Sequence, residues 1–256
     1  MEESIKYIIR DYFKDVDFVQ ENHVYYYNNQ RVRHSVSDLV KKHCIPFDRN
    51  ANAIRVAKKR GITVEEVLKE WDEKRDNSCM QGHKTHSFGE RFSFDRSLTP
   101  QDNYEKAVVS FFKDLPPYIK VIEVEVKMIH KKYLFCGTFD NLFYNTLNNT
   151  LILGDFKTNE DLFKNFREQK LIKPFDFLLD NPFNKYKLQL SYYQILLEQI
   201  PGIRVEKRKI IWLKPSGQYF MYDTEDYTEL LLNLLEDDYR RYNTKNTIPV
   251  FKGSAK

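Results

Sequence analysis

Apolar positions recur at helical spacing at the start of the chain, where Ile5, Ile8, Ile9 and Tyr12 share one face of a helix over residues 4–14. Two short runs, 24–27 and 31–34, flank Asn28-Asn29 and predict a hairpin. Ser35 and Ser37 offer N-caps for a short helix ending at Lys42. Thr63 followed by Glu66 has the spacing of a capping box and opens a helix over 64–75. The polar triplet Asp76-Asn77-Ser78 predicts a break, with a further helix from about Gly82 that carries His83, His86 and Glu90. A loop over 93–102 leads to helical spacing over 104–113, which Pro116-Pro117 stops.

The period then changes. Residues 119–129, 133–144 and 150–157 are apolar and partly alternating, and predict adjacent antiparallel strands, the last two joined by a turn over 145–149. A charged, aromatic stretch of weak periodicity from Asn159 to Asn184 predicts a mobile loop. A strong helix over 185–200 ends at Pro201-Gly202, and 207–213 pairs with 218–222 around Pro215-Ser216-Gly217. Thr224 predicts the cap of a last amphipathic helix with Tyr227, Leu230, Leu231, Leu234 and Leu235 on one side. No internal repeat and no Gly-, Ser- or Pro-rich linker interrupts the pattern. One domain is expected over 1–256, divided into an N-terminal hairpin and helices (1–80), a core (81–213) and a C-terminal hairpin strand and helix (214–256).

Composition narrows the picture modestly. The 41 Lys+Arg against 37 Asp+Glu permit nucleic-acid binding without arguing for it. Cys44, Cys79 and Cys136 have no CxxC spacing, which fits a reducing compartment and argues against a disulfide framework, a zinc ribbon or an iron–sulfur cluster. The first residues mix both charge signs with apolar ones, unlike a signal peptide. Apolar runs fall far short of the ~20 residues a membrane span needs. A cytoplasmic protein with no membrane partner is expected.

The chemistry concentrates in Gly137-Thr138-Phe139-Asp140 and Asp155-Phe156-Lys157. Residues two apart on a strand share a face, so Lys157 lies beside Asp155. Both aspartates adjoin apolar runs, where an ionised carboxylate is costly unless it is paired or bound to metal. Two carboxylates and a lysine on neighbouring strands point to a divalent-metal hydrolytic site. Taken alone, Asp-x-Lys is weak and reads as a strand-end salt bridge. Its context is richer: Glu125 on the preceding strand, His86 on an upstream helix with Glu90 one turn on, and Gln189 and Tyr193 four residues apart on one helix face. Each has a plain alternative. His86 reads also as a partner of Glu90, Glu123 rivals Glu125 from the same strand face, and Tyr192 and Tyr193 read as core. His83 and His86 lack further ligands at zinc-finger spacing.

In this order the motifs resemble the RecB-like branch of the PD-(D/E)XK nuclease superfamily, and within it the mitochondrial genome maintenance exonucleases and their phage relatives. The family's Arg-Gly-Thr-x-x-His-x-x-x-Glu helix looks like Gln81-Gly82-His83-Lys84-Thr85-His86-Ser87-Phe88-Gly89-Glu90. Its strand glutamate matches Glu125, its Gly-x-x-Asp matches Gly137 to Asp140, its Asp-x-Lys matches Asp155 to Lys157, and its Gln-x-x-x-Tyr matches Gln189 to Tyr193. The likeness runs from about residue 24 to residue 200. Phe139 stands in the place of the superfamily's proline, Gln81 and His83 replace arginine and threonine, and the four cysteines of the iron–sulfur-bearing relatives are absent.

The resemblance implies an α/β fold: a central mixed β-sheet flanked by helices, with a restriction-endonuclease-like core. It implies that His86, Asp140, Asp155 and the Phe156 carbonyl hold Mg²⁺ or Mn²⁺, hard cations that prefer oxygen, with imidazole tilting the choice toward Mn²⁺. Lys157 would orient or deprotonate the attacking water, and Gln189 and Tyr193 would position the strand or its water network. The activity implied is metal-dependent hydrolysis of DNA, as an exonuclease on single-stranded ends, in recombination, repair or replication in a bacterial or phage-infected cytosol. The alternatives are a structure-selective endonuclease on the same fold and a catalytically inactive DNA-binding module. In the 159–184 stretch, Phe163, Phe166, Phe175 and Phe177 are expected to stack on bases or to pack the core, and Lys164, Arg167, Lys170 and Lys173 to hold phosphates or face water.

Overall fold

The computed structural model describes residues 2–19, 24–32 and 34–247. Residue 33, in the predicted second hairpin strand, and residues 248–256, at the end of the predicted C-terminal unit, lie outside the described residues. The chain opens with α1 (Glu2–Tyr12), followed by β1 (Val16–Val19), β2 (Val24–Tyr27) and β3 (Gln30–Arg31), which pair antiparallel in that order. Asn28 and Asn29 turn β2 into β3 at φ 49° and 61°, the left-handed pair a two-residue hairpin requires. The predicted second hairpin strand is shorter than expected. Its last residue belongs to β4 (His34–Ser35), which joins the other sheet.

Four helices follow: α2 (Val36–Lys41), α3 (Arg49–Arg60), α4 (Val64–Phe94) and α5 (Asn103–Asp114). Ser35 with Asp38 and Thr63 with Glu66 form complete capping boxes at the starts of α2 and α4. Between α3 and α4, Gly61 ends the first helix at φ 68°. The predicted break at Asp76-Asn77-Ser78 is absent: α4 is one helix of 31 residues. Residues 73–80 are exposed all round, which suits a polar helix spanning two places where it packs. Its N-terminal part closes a small cluster with α3 around Ala53, Ala57 and Val67, and its C-terminal part lies on the main sheet through Phe88 and Phe92. Ser78 Oγ satisfies itself on the Lys74 carbonyl at 2.8 Å, so the triplet costs the helix little.

The main sheet is mixed. It comprises β4, β5 (Ile119–Ile129), β6 (Phe135–Asn145), β7 (Thr150–Lys157) and, after α6 (Pro182–Glu198), β8 (Val205–Leu213) with β9 (Tyr219–Asp223). As predicted, β5, β6 and β7 are adjacent and antiparallel. β7 and β8 run parallel, joined through α6, and β9 returns antiparallel on β8. α7 (Thr228–Thr247) closes the chain. Thr224 is not its cap. Thr224 is buried against the Arg208 carbonyl, and Asp226 Oδ1 accepts the Thr228 N–H at 2.8 Å instead.

Helices cover both faces of this sheet. On one, α1, α2, α6 and α7 bury Ile9, Leu39, Leu188, Leu196 and Leu231 against Phe139, Leu142 and Leu153. On the other, α4 and α5 bury Phe88 and Phe111 against Phe143, Ile152 and Phe156. β7 is covered on both sides, which explains its nearly continuous apolar run. Burying a side chain such as Phe156 contributes about 1.5–3 kcal/mol. The stretch predicted as a mobile loop is instead a packed one. It contains no helix or strand up to α6, yet Leu162, Leu171 and Phe175 are fully buried.

Candidate metal centre

β6 and β7 stay paired from Asn145↔Thr150 to Asn141↔Gly154 and then part. β4 takes the same edge of β6 further along, at Phe135 and Cys136. Asp140 and Asp155 are the next residues past the last paired position, so both enter the fork between the strands. A side chain replaces the ladder there: the Phe156 N–H donates to Asp140 Oδ2 at 2.6 Å.

Across β6, the pairs Val124↔Asn141 and Val126↔Phe139 put Glu125 opposite Asp140. Glu125 stands at φ 51°, in the left-handed region, in the middle of a strand. Such a conformation costs a non-glycine residue about 1–3 kcal/mol and is found disproportionately at functional sites. It also breaks the alternation of β5. Glu123 and Glu125 therefore do not share a face, contrary to the sequence expectation. Glu123 meets Arg10 Nε at 2.6 Å and Nη2 at 3.2 Å, away from the fork.

α4 brings the imidazole. A Cβ on Gly89 would stand 2.9 Å from Phe156 Cε2, so the helix lies hard against β7 one turn beyond His86. His86 Nδ1 is 3.2 Å from Asp140 Oδ1. Glu90, its sequence-predicted alternative partner, is exposed, as is His83. One ligating atom each from His86, Glu125 and Asp140 all lie within 4.8 Å of one another.

α6 covers the fork from the other side. A Cβ on Gly137 would approach Tyr193 Cε1 to 2.8 Å and Val36 Cγ2 to 2.9 Å, so the glycine of the Gly-x-x-Asp motif admits α6 and α2 rather than a ligand. Gln189 Nε2 donates to Tyr193 Oη at 2.7 Å. Lys157 is in direct ion-pair contact with Asp155 Oδ2, as the two-residue spacing predicts. Its Nζ also lies 4.3 Å from the centre of the Tyr186 ring. Sequence reading missed Tyr186, although the helical spacing that joins Gln189 to Tyr193 reaches back to it. It also missed Tyr25, whose hydroxyl is 2.7 Å from that of Thr138 inside the motif.

The charges are strongly perturbed. Burial, and next the Asp140 carboxylate, push Glu125 up to about 8. Burial alone would lower His86, but Asp140 outweighs it and raises the imidazole to about 9. Asp140 goes the other way: burial opposes its ionisation, and the His86 cation holds it below the usual carboxylate range. Burial, then Asp140, raises Asp155 to about 6. Lys157 would be lowered by burial, yet Asp155 lifts it above the ordinary lysine range. The His86 imidazolium, paired with Asp140, is thus one of the positive charges among these carboxylates.

This donor set fits Mg²⁺ or Mn²⁺. Two carboxylates and one imidazole suit a hard or borderline divalent ion. The three ligand atoms lie within 4.8 Å of one another, close enough for one ion to be held between them. Asp155, expected as a ligand, is outside the trio, with its carboxylate turned to Lys157. Glu125, matched to the family's strand glutamate as a catalytic candidate but not expected among the ligands, is inside it.

No family model and no curated protein matches the chain. The solved protein called SSO0001 aligns at a TM-score of 0.39 and 15% identity, over 94% of this chain and 84% of that one. A likeness that loose assigns neither mechanism nor substrate. Among the described residues no helix is long and apolar enough to cross a membrane.

Proposed function

We propose that the protein is a metal-dependent nuclease with a restriction-endonuclease-like core, acting as an exonuclease on single-stranded DNA ends. The observation that carries this reading is the convergence of His86, Glu125 and Asp140 within 4.8 Å beside the Lys157–Asp155 pair, in the fork where two strands part. His86, Glu125 and Asp140 would hold Mg²⁺ or Mn²⁺, with the Phe156 carbonyl as a further donor. Such an ion, when bound, lowers the pKa of its water and offsets charge on the phosphoryl oxygens.

The remaining chemistry belongs to the chain. Lys157 is held as a cation, so its part is to orient the water and to neutralise charge on the phosphate. Asp155 keeps that ammonium charged and in place. Gln189 and Tyr193, bonded to one another, fix the polar wall opposite. The segment before α6 divides its phenylalanines. Phe175 is in the core and is not left for stacking on bases, while Phe163, 44% exposed, packs on Phe183, Trp212 and Tyr222. Phe166 and Phe177 are more than half exposed, at 56% and 59%, and Arg55 of α3 lies 5.7 Å from the Phe166 ring. Base stacking and backbone contact are proposed for these residues.

The test uses end-labelled linear and closed circular single-stranded DNA of one sequence, with and without Mg²⁺ or Mn²⁺. Metal-dependent loss of the linear strand alone is expected, and Asp155→Asn should abolish it while leaving the protein folded. Equal cutting of the circle would make the protein an endonuclease. Binding without cleavage in either metal would leave only a DNA-binding module.

A further inference from the structure

We propose that Tyr186 is a positioning residue for Lys157, an inference that rests on the nuclease reading. Lys157 Nζ lies 4.3 Å from the centre of the Tyr186 ring, within range of a favourable cation–π contact. The lysine side chain is 11% exposed, so little water competes with the ring. The ring is itself held at its far end: Tyr186 Oη donates to Asn159 Oδ1 at 2.7 Å. Asn159 is anchored in turn, because Trp212 Nε1 donates to its carbonyl at 2.7 Å. The ammonium thus has two supports on different elements, the Asp155 carboxylate from its own strand and the Tyr186 face from α6.

The placement of α6 makes this a shared device. Tyr186, Gln189 and Tyr193 follow one another at intervals of three and four, along one stripe of the helix. Tyr193 rests on Gly137 beside Asp140, and Tyr186 rests on Lys157. A lysine with a flexible four-carbon stem is a poor fixed charge unless something confines it. With Asp155 alone it could pivot about the carboxylate. The ring closes the other side and leaves one direction for the ammonium, toward the fork. Tyr186 touches neither the metal trio nor, on this account, the substrate; it acts through Lys157.

The experiment compares Tyr186→Phe, Tyr186→Leu, Lys157→Ala and the Tyr186→Leu/Lys157→Ala double variant in the full chain. The measurements are kcat, KM, Mn²⁺ affinity and melting temperature. Tyr186→Leu should lose about tenfold in kcat, with KM and Mn²⁺ affinity unchanged. Tyr186→Phe keeps the ring and should retain most of the rate. In the Lys157→Ala background Tyr186→Leu should have no further effect, since a residue acting through another contributes nothing once that partner is gone. An upfield ring-current shift of the Lys157 ε-methylene protons should be present in the wild type and Tyr186→Phe and absent in Tyr186→Leu. The inference is overturned if Tyr186→Leu keeps wild-type kcat, if its loss persists in the Lys157→Ala background, or if Phe fails as badly as Leu. If Lys157→Ala slows cleavage and Tyr186→Leu does not, this inference fails while the nuclease reading stands. If the wild type shows no metal-dependent cleavage, the nuclease reading fails and the role assigned to Tyr186 falls with it, even where the ring-current shift is seen.

Discussion

If the His86–Glu125–Asp140 trio is the metal site proposed above, binding there must expel protons. Ligation requires a neutral imidazole and ionised carboxylates. In the metal-free protein Glu125 stands at about 8, through burial and then Asp140, and His86 at about 9, where Asp140 outweighs the effect of burial. At neutral pH both carry a proton and both must lose it. About two protons should therefore leave per ion at pH 7, and below about pH 8 the apparent affinity should rise on the order of a hundredfold per pH unit. Isothermal titration of Mn²⁺ into chelator-treated protein, in two buffers of different ionisation enthalpy, counts the protons. Repetition at about pH 6.5 and about pH 8.5 gives the slope. Glu125→Gln should lower the count to about one. Binding without proton release, or an affinity flat across this range, would refute the assignment of the trio as the ligand set.

Three further outcomes are expected. Glu125 and His86 are both raised above their usual values of 4.5 and 6.5, so the stability they contribute is fully present below those values and is lost progressively as pH rises from 4.5 to about 8 for Glu125 and from 6.5 to about 9 for His86. Thermal melts of metal-free protein should fall over that range, and a flat or rising profile would contradict it. Glu125→Gln should reduce cleavage strongly while Glu123→Gln, which disturbs only the Arg10 pair, should leave it near wild type; the reverse result would exchange their roles. Gly137→Ala should destabilise the fold by about 1–3 kcal/mol in urea titration, because its Cβ meets both Tyr193 and Val36, and an unchanged midpoint would show that α6 can withdraw at no cost.

Much of this arrangement could be read from residue order because it rests on local rules. The strands over 119–157 follow from apolar runs and turns, the start of α2 from an N-cap serine, that of α4 from a capping box, and the Asp155–Lys157 contact from a period of two. What escaped reading depends on tertiary context. The polar triplet in α4 looks like a break, but packing at both ends of the helix carries it through. Nothing in the residue type of Glu125 announces a left-handed backbone, so Glu123 and Glu125 looked equivalent until the broken alternation sent them apart. Tyr186 lies one turn before Gln189 on the same helical stripe, outside any motif that would single it out. The 159–184 stretch has too little periodicity to reveal that Leu162, Leu171 and Phe175 anchor it.

The unbroken α4 has a mechanical consequence. From Val64 to His86 the helix rises about 33 Å at 1.5 Å per residue, and its outer part carries α3 as a separate cluster with Arg55 against Phe166. The imidazole sits near the fulcrum, where Gly89 presses on Phe156, and the α3 cluster rides on the long end. A tilt of about 5° about that fulcrum swings the far end by about 3 Å while moving His86 by only a fraction of an ångström. The helix thus has the proportions of a lever with its long arm outside: a load on α3 would be geared down into a fine displacement of His86, and a pair of glycines inserted at Asn77 would disconnect the two.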